Sequence, residues 1–78
     1  MNKTFSILIT GGAGFIGSNL TEYFLSKGHF VRCLDNFATG HHHNIEPFLQ
    51  NDNYELIEGD IRNPEDCARA VAGMDYVL

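Results

Sequence analysis

Thr10-Gly11-Gly12-Ala13-Gly14-Phe15-Ile16-Gly17 is the stretch that decides the fold. Before it runs the β-rich segment Phe5-Ser6-Ile7-Leu8-Ile9-Thr10. Consecutive apolar residues suit a strand covered on both faces, as in a parallel sheet. After it the apolar spacing turns helical: Ile16, Leu20, Tyr23 and Phe24 form one stripe, with Ser18, Glu22 and Ser26 away from it. Leu25 lies opposite the stripe, either exposed or against a second surface. Gly28 supplies the stop.

The alternation repeats downstream. Phe30-Val31-Arg32-Cys33-Leu34-Asp35 reads as a second strand and residues 36–43 as turn-rich. Residues 45–49 read as a short helix weakened by Pro47. Tyr54-Glu55-Leu56-Ile57-Glu58 is a third strand, ended by Gly59-Asp60. Asn63-Pro64-Glu65-Asp66 starts another helix, with Asn as N-cap, Pro at the first position and acids in the first turn. Ala68, Val71 and Ala72 are its expected buried face. Asp75-Tyr76-Val77-Leu78 opens a fourth strand. With right-handed crossovers, β-α-β-α-β-α-β is half of an α/β, Rossmann-type doubly wound parallel sheet of order 3-2-1-4. Its fourth strand is expected to be cut short at Leu78. Residues 1–78 are therefore expected to be the N-terminal part of a nucleotide-binding domain, the rest of that domain and a substrate domain lying beyond.

Composition narrows the partners. Ten Asp and Glu against five Lys and Arg give these 78 residues a formal charge of -5. That balance argues against nucleic acid or an anionic membrane as the main partner. No apolar run approaches the ~20 residues of a membrane span, and Met1-Asn2-Lys3-Thr4 leads into a run too short for a secretory signal. Cys33 and Cys67 lack metal-type spacing and read as reduced core residues of a cytoplasmic protein. Phe5, Phe24, Phe30 and Phe48 are core candidates, and Glu55 and Glu58 are expected to be solvated. His41-His42-His43 reads as a solvated loop, because consecutive loop imidazoles cannot all face one metal.

The glycine spacing is G-x-x-G-x-x-G. Gly11 lets the chain turn off the strand, Gly14 lets the backbone approach a pyrophosphate, and Gly17 lets the helix pack close to the sheet. The helix start offers the N–H groups of Phe15 and Ile16 and a partial positive charge. The alternative is a tight turn with no ligand. Asp35 ends the second strand near the position where an acid accepts from both adenosine ribose hydroxyls. A carboxylate there repels a 2′-phosphate, and Asn36 rather than an Arg follows it, so the expected cofactor is NAD rather than NADP. Asp35 read otherwise is a solvated strand-end acid or a cap. Asp60, at the carboxyl end of the third strand, is placed to accept from the adenine amino group, with the Ile61 backbone completing the base contact. Otherwise it caps the next segment.

The three motifs Thr10 to Gly17, Leu34-Asp35-Asn36-Phe37-Ala38-Thr39-Gly40 and Glu58-Gly59-Asp60-Ile61-Arg62 together resemble the extended short-chain dehydrogenase/reductase family. Within it they are most similar to the NAD-dependent epimerase/dehydratase group, notably its nucleotide-sugar 4-epimerases. The resemblance implies an NAD contact set of Gly11, Gly14, Phe15, Ile16, Gly17, Asp35, Asn36, Thr39, Gly40, Asp60 and Ile61. Ala38 stands where relatives often have Ser. It also implies a homodimer that epimerises a nucleotide sugar at C4 through a transient 4-keto sugar. The family's catalytic Ser/Thr and Tyr-x-x-x-Lys pair are expected beyond Leu78, so no catalytic residue is assigned here. A 4,6-dehydratase of the same group and a non-catalytic NAD-sensing module are the rival readings.

Overall fold

The computed structural model describes residues 3–78. Met1 and Asn2, part of the stretch read above for a targeting signal, lie outside the described residues. Four strands, β1 (Ser6–Thr10), β2 (Phe30–Asp35), β3 (Tyr54–Glu58) and β4 (Tyr76–Val77), form one sheet in the order β3-β2-β1-β4. Each neighbouring pair is parallel. Two helices, α1 (Phe15–Ser26) and α2 (Pro64–Val71), carry the first and third crossovers. Both stop at glycines of positive φ, Gly28 and Gly73. The expected order 3-2-1-4 is the observed one.

The middle crossover differs from expectation. Residues 45–49 form no α-helix; two 3-10 turns, His42–Asn44 and Glu46–Phe48, replace it. Pro47 has no N–H to give a helical ladder, and single i→i+3 bonds such as Phe48 N–H to Ile45 O (2.8 Å) fold the loop instead. Ile45 and Phe48 still reach the core and pack with Ala13.

Alternation along β1 sorts its side chains to two covered faces. Ile7 and Ile9 join Val31 beneath α1, while Leu8 joins Leu34 and Ala70 beneath α2. Cys33 is fully buried, and burial pushes its thiol up to about 11. Neither cysteine is paired. Of the core phenylalanine candidates, Phe48 is buried and Phe5, Phe24 and Phe30 are half-buried.

Both helices sit differently from their apolar stripes. In α1, Ile16 is 74% and Tyr23 56% exposed, whereas Ser18 and Thr21 are buried. The close approach at Gly17 leaves room for only small side chains against the sheet. Their hydroxyls are satisfied within the helix, Ser18 Oγ donating to Phe15 O (3.0 Å) and Thr21 Oγ1 to Gly17 O (2.8 Å). Leu20 and Phe24 flank this face, and Leu25 meets a second cluster around Ile45. In α2 the buried residue is Ala70, while Ala68, Val71 and Ala72 are exposed. The helix is rotated because Asp66 and Cys67, on the same side as Ala70, bond the loop after β3. Its far end is held by Arg32, whose Nη1 donates to Ala70 O (2.9 Å) and Ala72 O (2.8 Å) while Nε pairs with Glu55 (2.8 Å). A cation on the last carbonyls suits the helix C-terminus.

Candidate functional site

The carboxyl ends of β1, β2 and β3 surround a cleft of about 180 Å³. Gly11, Gly14, Asp35, Asn36, Thr39 and Ile61 line it. Leu34 and Gly59, which the sequence did not single out, complete the wall.

Gly11 leaves β1 at φ +69° and donates its N–H to Leu34 O at 2.8 Å. That conformation is costly for residues with a Cβ. Gly14 is the N-cap of α1, with no side-chain cap on the helix start. A Cβ on Gly14 would meet only Gly11 O, at 3.4 Å. A Cβ on Gly17 would lie 2.5 Å from Gly11 O and 2.7 Å from Gly12 Cα. Gly17 therefore serves helix packing, as its spacing implied, and does not line the cleft. Phe15 (79%) and Ile16 (74%) point their side chains to solvent, and their backbone follows the uncapped helix start at Gly14. Gly12 was passed over in the sequence, yet a Cβ there would sit 2.5 Å from Cys33 Sγ.

Asp35 is only 8% exposed. Its Oδ2 accepts from Ala13 N (2.8 Å) and its Oδ1 from Phe37 N (2.7 Å). It thus joins the glycine loop to the loop after β2 and is not a solvated strand-end acid. Gly40 returns to the same point, where a Cβ would approach Ala13 to 2.9 Å. Asn44 Nδ2 (2.8 Å) and His41 N (3.1 Å) donate to Ala13 O. These bonds were not legible because Ala13 carries no functional side chain. The three histidines are exposed. The His42 ring stacks on Phe37 at 3.9 Å and an interplanar angle of 4°. Among the described residues no group of three His, Cys, Asp or Glu is placed to hold a metal.

Asp60 stands at the rim and does not line the cleft. Its carboxylate pairs with Arg62 (Oδ2 to Nη2 2.6 Å). The guanidinium, together with the Arg62 N–H, holds the acid down to about 2. The folded value lies below the unfolded one, so this pairing stabilises the fold above the ordinary carboxylate range and is lost as pH falls towards about 2. A carbon-13 titration of the Asp60 carboxyl should show that low midpoint, and Arg62→Ala should raise it. An unshifted midpoint in the parent chain would refute the pairing.

One Tyr-x-x-x-Lys spacing does occur within these residues, at Tyr23 and Lys27. It lies at the end of α1 remote from the cleft, roughly 12 Å along the axis from Phe15. Lys27 Nζ rests over the exposed Tyr23 ring at 5.6 Å from its centroid. That is a surface cation–π pair with no access to the cleft.

The cleft is suited to a dinucleotide. The uncapped start of α1 presents amides without intrahelical acceptors to an anion, and at Gly14 the space where a Cβ would stand is open to within 3.4 Å of Gly11 O. A carboxylate has about four acceptor positions; Asp35 uses two on backbone amides, leaving two for a pair of hydroxyls.

Residues 7–78 match the model of the "NAD dependent epimerase/dehydratase family". UDP-glucuronic acid decarboxylase 1 of Danio rerio is 50% identical over 58 residues, 74% of this chain and 14% of that protein. The structure is similar to dTDP-glucose 4,6-dehydratase from Bacillus anthracis in complex with NAD (TM-score 0.84, 31% identity, 94% of this chain and 25% of that one). It is also similar to Thermus thermophilus UDP-glucose 4-epimerase in complex with NAD (TM-score 0.73, 38% identity, 88% and 21%). The chain therefore spans a quarter or less of each of these relatives.

Proposed function

The chain belongs to the NAD dependent epimerase/dehydratase family, and on that premise we propose that residues 1–78 are the N-terminal part of an NAD-binding domain in a nucleotide-sugar enzyme. The observation that carries this is the bracing of the Gly11–Gly14–Gly17 cradle by the buried Asp35 beside an uncapped helix start. When bound, NAD supplies the hydride acceptor for oxidation of the sugar. The protein residues bind and orient. Phe15 and Ile16 amides take the diphosphate, and Asp35 accepts from the adenosine ribose hydroxyls. Asp35 and Asn36 disfavour a 2′-phosphate, so NAD is preferred to NADP. Thr39 and Gly40 close the ribose side, and Asp60 with Ile61 meets the adenine.

We read the full-length protein as a cytoplasmic homodimer that epimerises a UDP-sugar at C4; the reduced, buried Cys33 fits that compartment. The 50% identity to a UDP-glucuronic acid decarboxylase favours a second reading, loss of CO2 from a UDP-hexuronate. The test gives the full-length protein UDP-glucose and, separately, UDP-glucuronate. The C4 epimer of the glucose supports the first reading, and CO2 with a UDP-pentose the second. A 4-keto-6-deoxy product would assign a dehydratase, and NAD binding without turnover of any sugar nucleotide would leave an NAD-sensing module.

A further inference from the structure

We propose that Asp66 and Cys67, neighbours on the first turn of α2, are positioning residues for base recognition: they hold the loop 59–62 so that Asp60 and Ile61 face an adenine. This rests on the reading above of that loop as the base edge. Neither residue lines the cleft, and both are half-buried behind it. Asp66 Oδ2 accepts the Asp60 N–H at 2.9 Å, and Cys67 Sγ donates to Ile61 O at 3.0 Å. The two residues read as base contacts are thus each tied by their backbone to one α2 side chain.

The rest of the loop is braced in the same direction. Asn63 N donates to Asp60 O (2.9 Å), and Gly59 N donates to Asp35 O (3.1 Å), linking the base edge to the ribose acid. A Cβ on Gly59 would lie 2.9 Å from the Asp66 carboxyl, so the chain is pressed directly against this acid. Asp66 is itself fixed by Arg69 (2.9 Å) and by the Asn63 cap. The Asp60 N–H, first, and Arg69 hold its carboxyl below the usual range, which keeps it an acceptor. With Arg32 gripping the other end, α2 is a strut whose first turn aims the loop.

A hydrogen-bond pair held in register discriminates between bases, whereas a loose loop binds both alike. The test measures dissociation constants of the full chain for NAD and for nicotinamide hypoxanthine dinucleotide, in which a carbonyl replaces the adenine amino group. The wild type should prefer NAD by about tenfold, the worth of one charge-assisted hydrogen bond. Asp66→Ala and Cys67→Ala should reduce that preference to about twofold by weakening NAD alone. Asp66→Asn, which retains an acceptor for the Asp60 N–H, should restore it. Should Asp66→Ala fail to fold, Cys67→Ala decides, since it removes a single thiol and leaves the cap and every charge. Parallel weakening of both nucleotides, or an unchanged preference in the alanine variants while Asp60→Ala abolishes it, overturns the positioning role. No preference in the wild type, with Asp60→Ala also without effect, instead overturns the base-edge reading on which it rests.

Discussion

Gly14→Val should weaken NAD binding by more than about a hundredfold while the sheet and helices persist. Gly14 has φ -78° and ψ 174°, which any residue adopts. An added Cβ meets no protein atom closer than 3.4 Å, so the new side chain fills ligand space rather than protein space. A diphosphate oxygen seated, as proposed, at about 2.9 Å from the Phe15 and Ile16 amides would leave no room for an isopropyl group. Gly17→Ala makes the contrast. Its Cβ would collide with the backbone of Gly11 and Gly12 at 2.5 and 2.7 Å, and backbone cannot escape by changing rotamer. We expect a loss of about 3 kcal/mol, the upper end of ordinary overpacking. Calorimetric titration with NAD and thermal melts followed by circular dichroism separate the two. Gly14→Val binding NAD within tenfold of wild type would refute the cradle.

Asp35→Ala should damage stability and affinity together. It removes the acceptor for two backbone amides, those of Ala13 and Phe37. Ala13 is fully buried and Phe37 half-buried. Leaving both amides unpaired costs about 2–4 kcal/mol. Phe37 is also held at φ 59°, a strained setting for an aromatic residue that depends on such anchoring. The same change deletes the acceptor proposed for the adenosine ribose, so NAD should weaken more than NADP and the gap between them narrow. Asp35→Asn separates the effects: its carbonyl still serves one amide, but the charge that repels a 2′-phosphate is gone. Urea denaturation gives the stability, and parallel NAD and NADP titrations give the gap. Equal affinity of the wild type for both cofactors would show that Asp35 does not select between them.

The strands were legible because Ile7, Leu8 and Ile9 need cover on both faces, and glycines and capping residues mark each end. The sheet order followed from the alternation of strand and crossover. The helix faces were not legible. Apolar periodicity pointed to Ile16 and Tyr23, but the sheet-facing side of α1 is set by steric closeness at Gly17, which favours Ser18 and Thr21. In α2, short-range bonds from Asp66 and Cys67 to the preceding loop outweighed the weak apolar pull of three residues. The site was legible by side chain and hidden by backbone. Gly11, Gly14 and Asp35 announce themselves, whereas Ala13 matters through its backbone N–H and C=O, and Gly12 and Gly59 through the Cβ they lack. The Asp60–Arg62 pair depends on a loop conformation that spacing alone does not specify.

The sheet order also sets a timetable for the nascent chain. β1 lies between β2 and β4, and its free side is closed only when Asp75 N–H reaches Ser6 O (2.7 Å) and Leu78 N–H reaches Leu8 O (2.8 Å). The cradle needs nothing so late: the bonds from Gly11 N–H to Leu34 O and from Ala13 N–H to the Asp35 carboxylate, and the contact of Gly40 with Ala13, all lie within residues 11–40. Translation of residues 41–78 takes about 2–8 s at typical speeds, whereas a chain closes loops in microseconds or less. The dinucleotide cradle can therefore take shape on the ribosome while the central strand still carries a bare edge. In those seconds the emerging protein is a half-open sheet, exposed to strand mispairing along that edge.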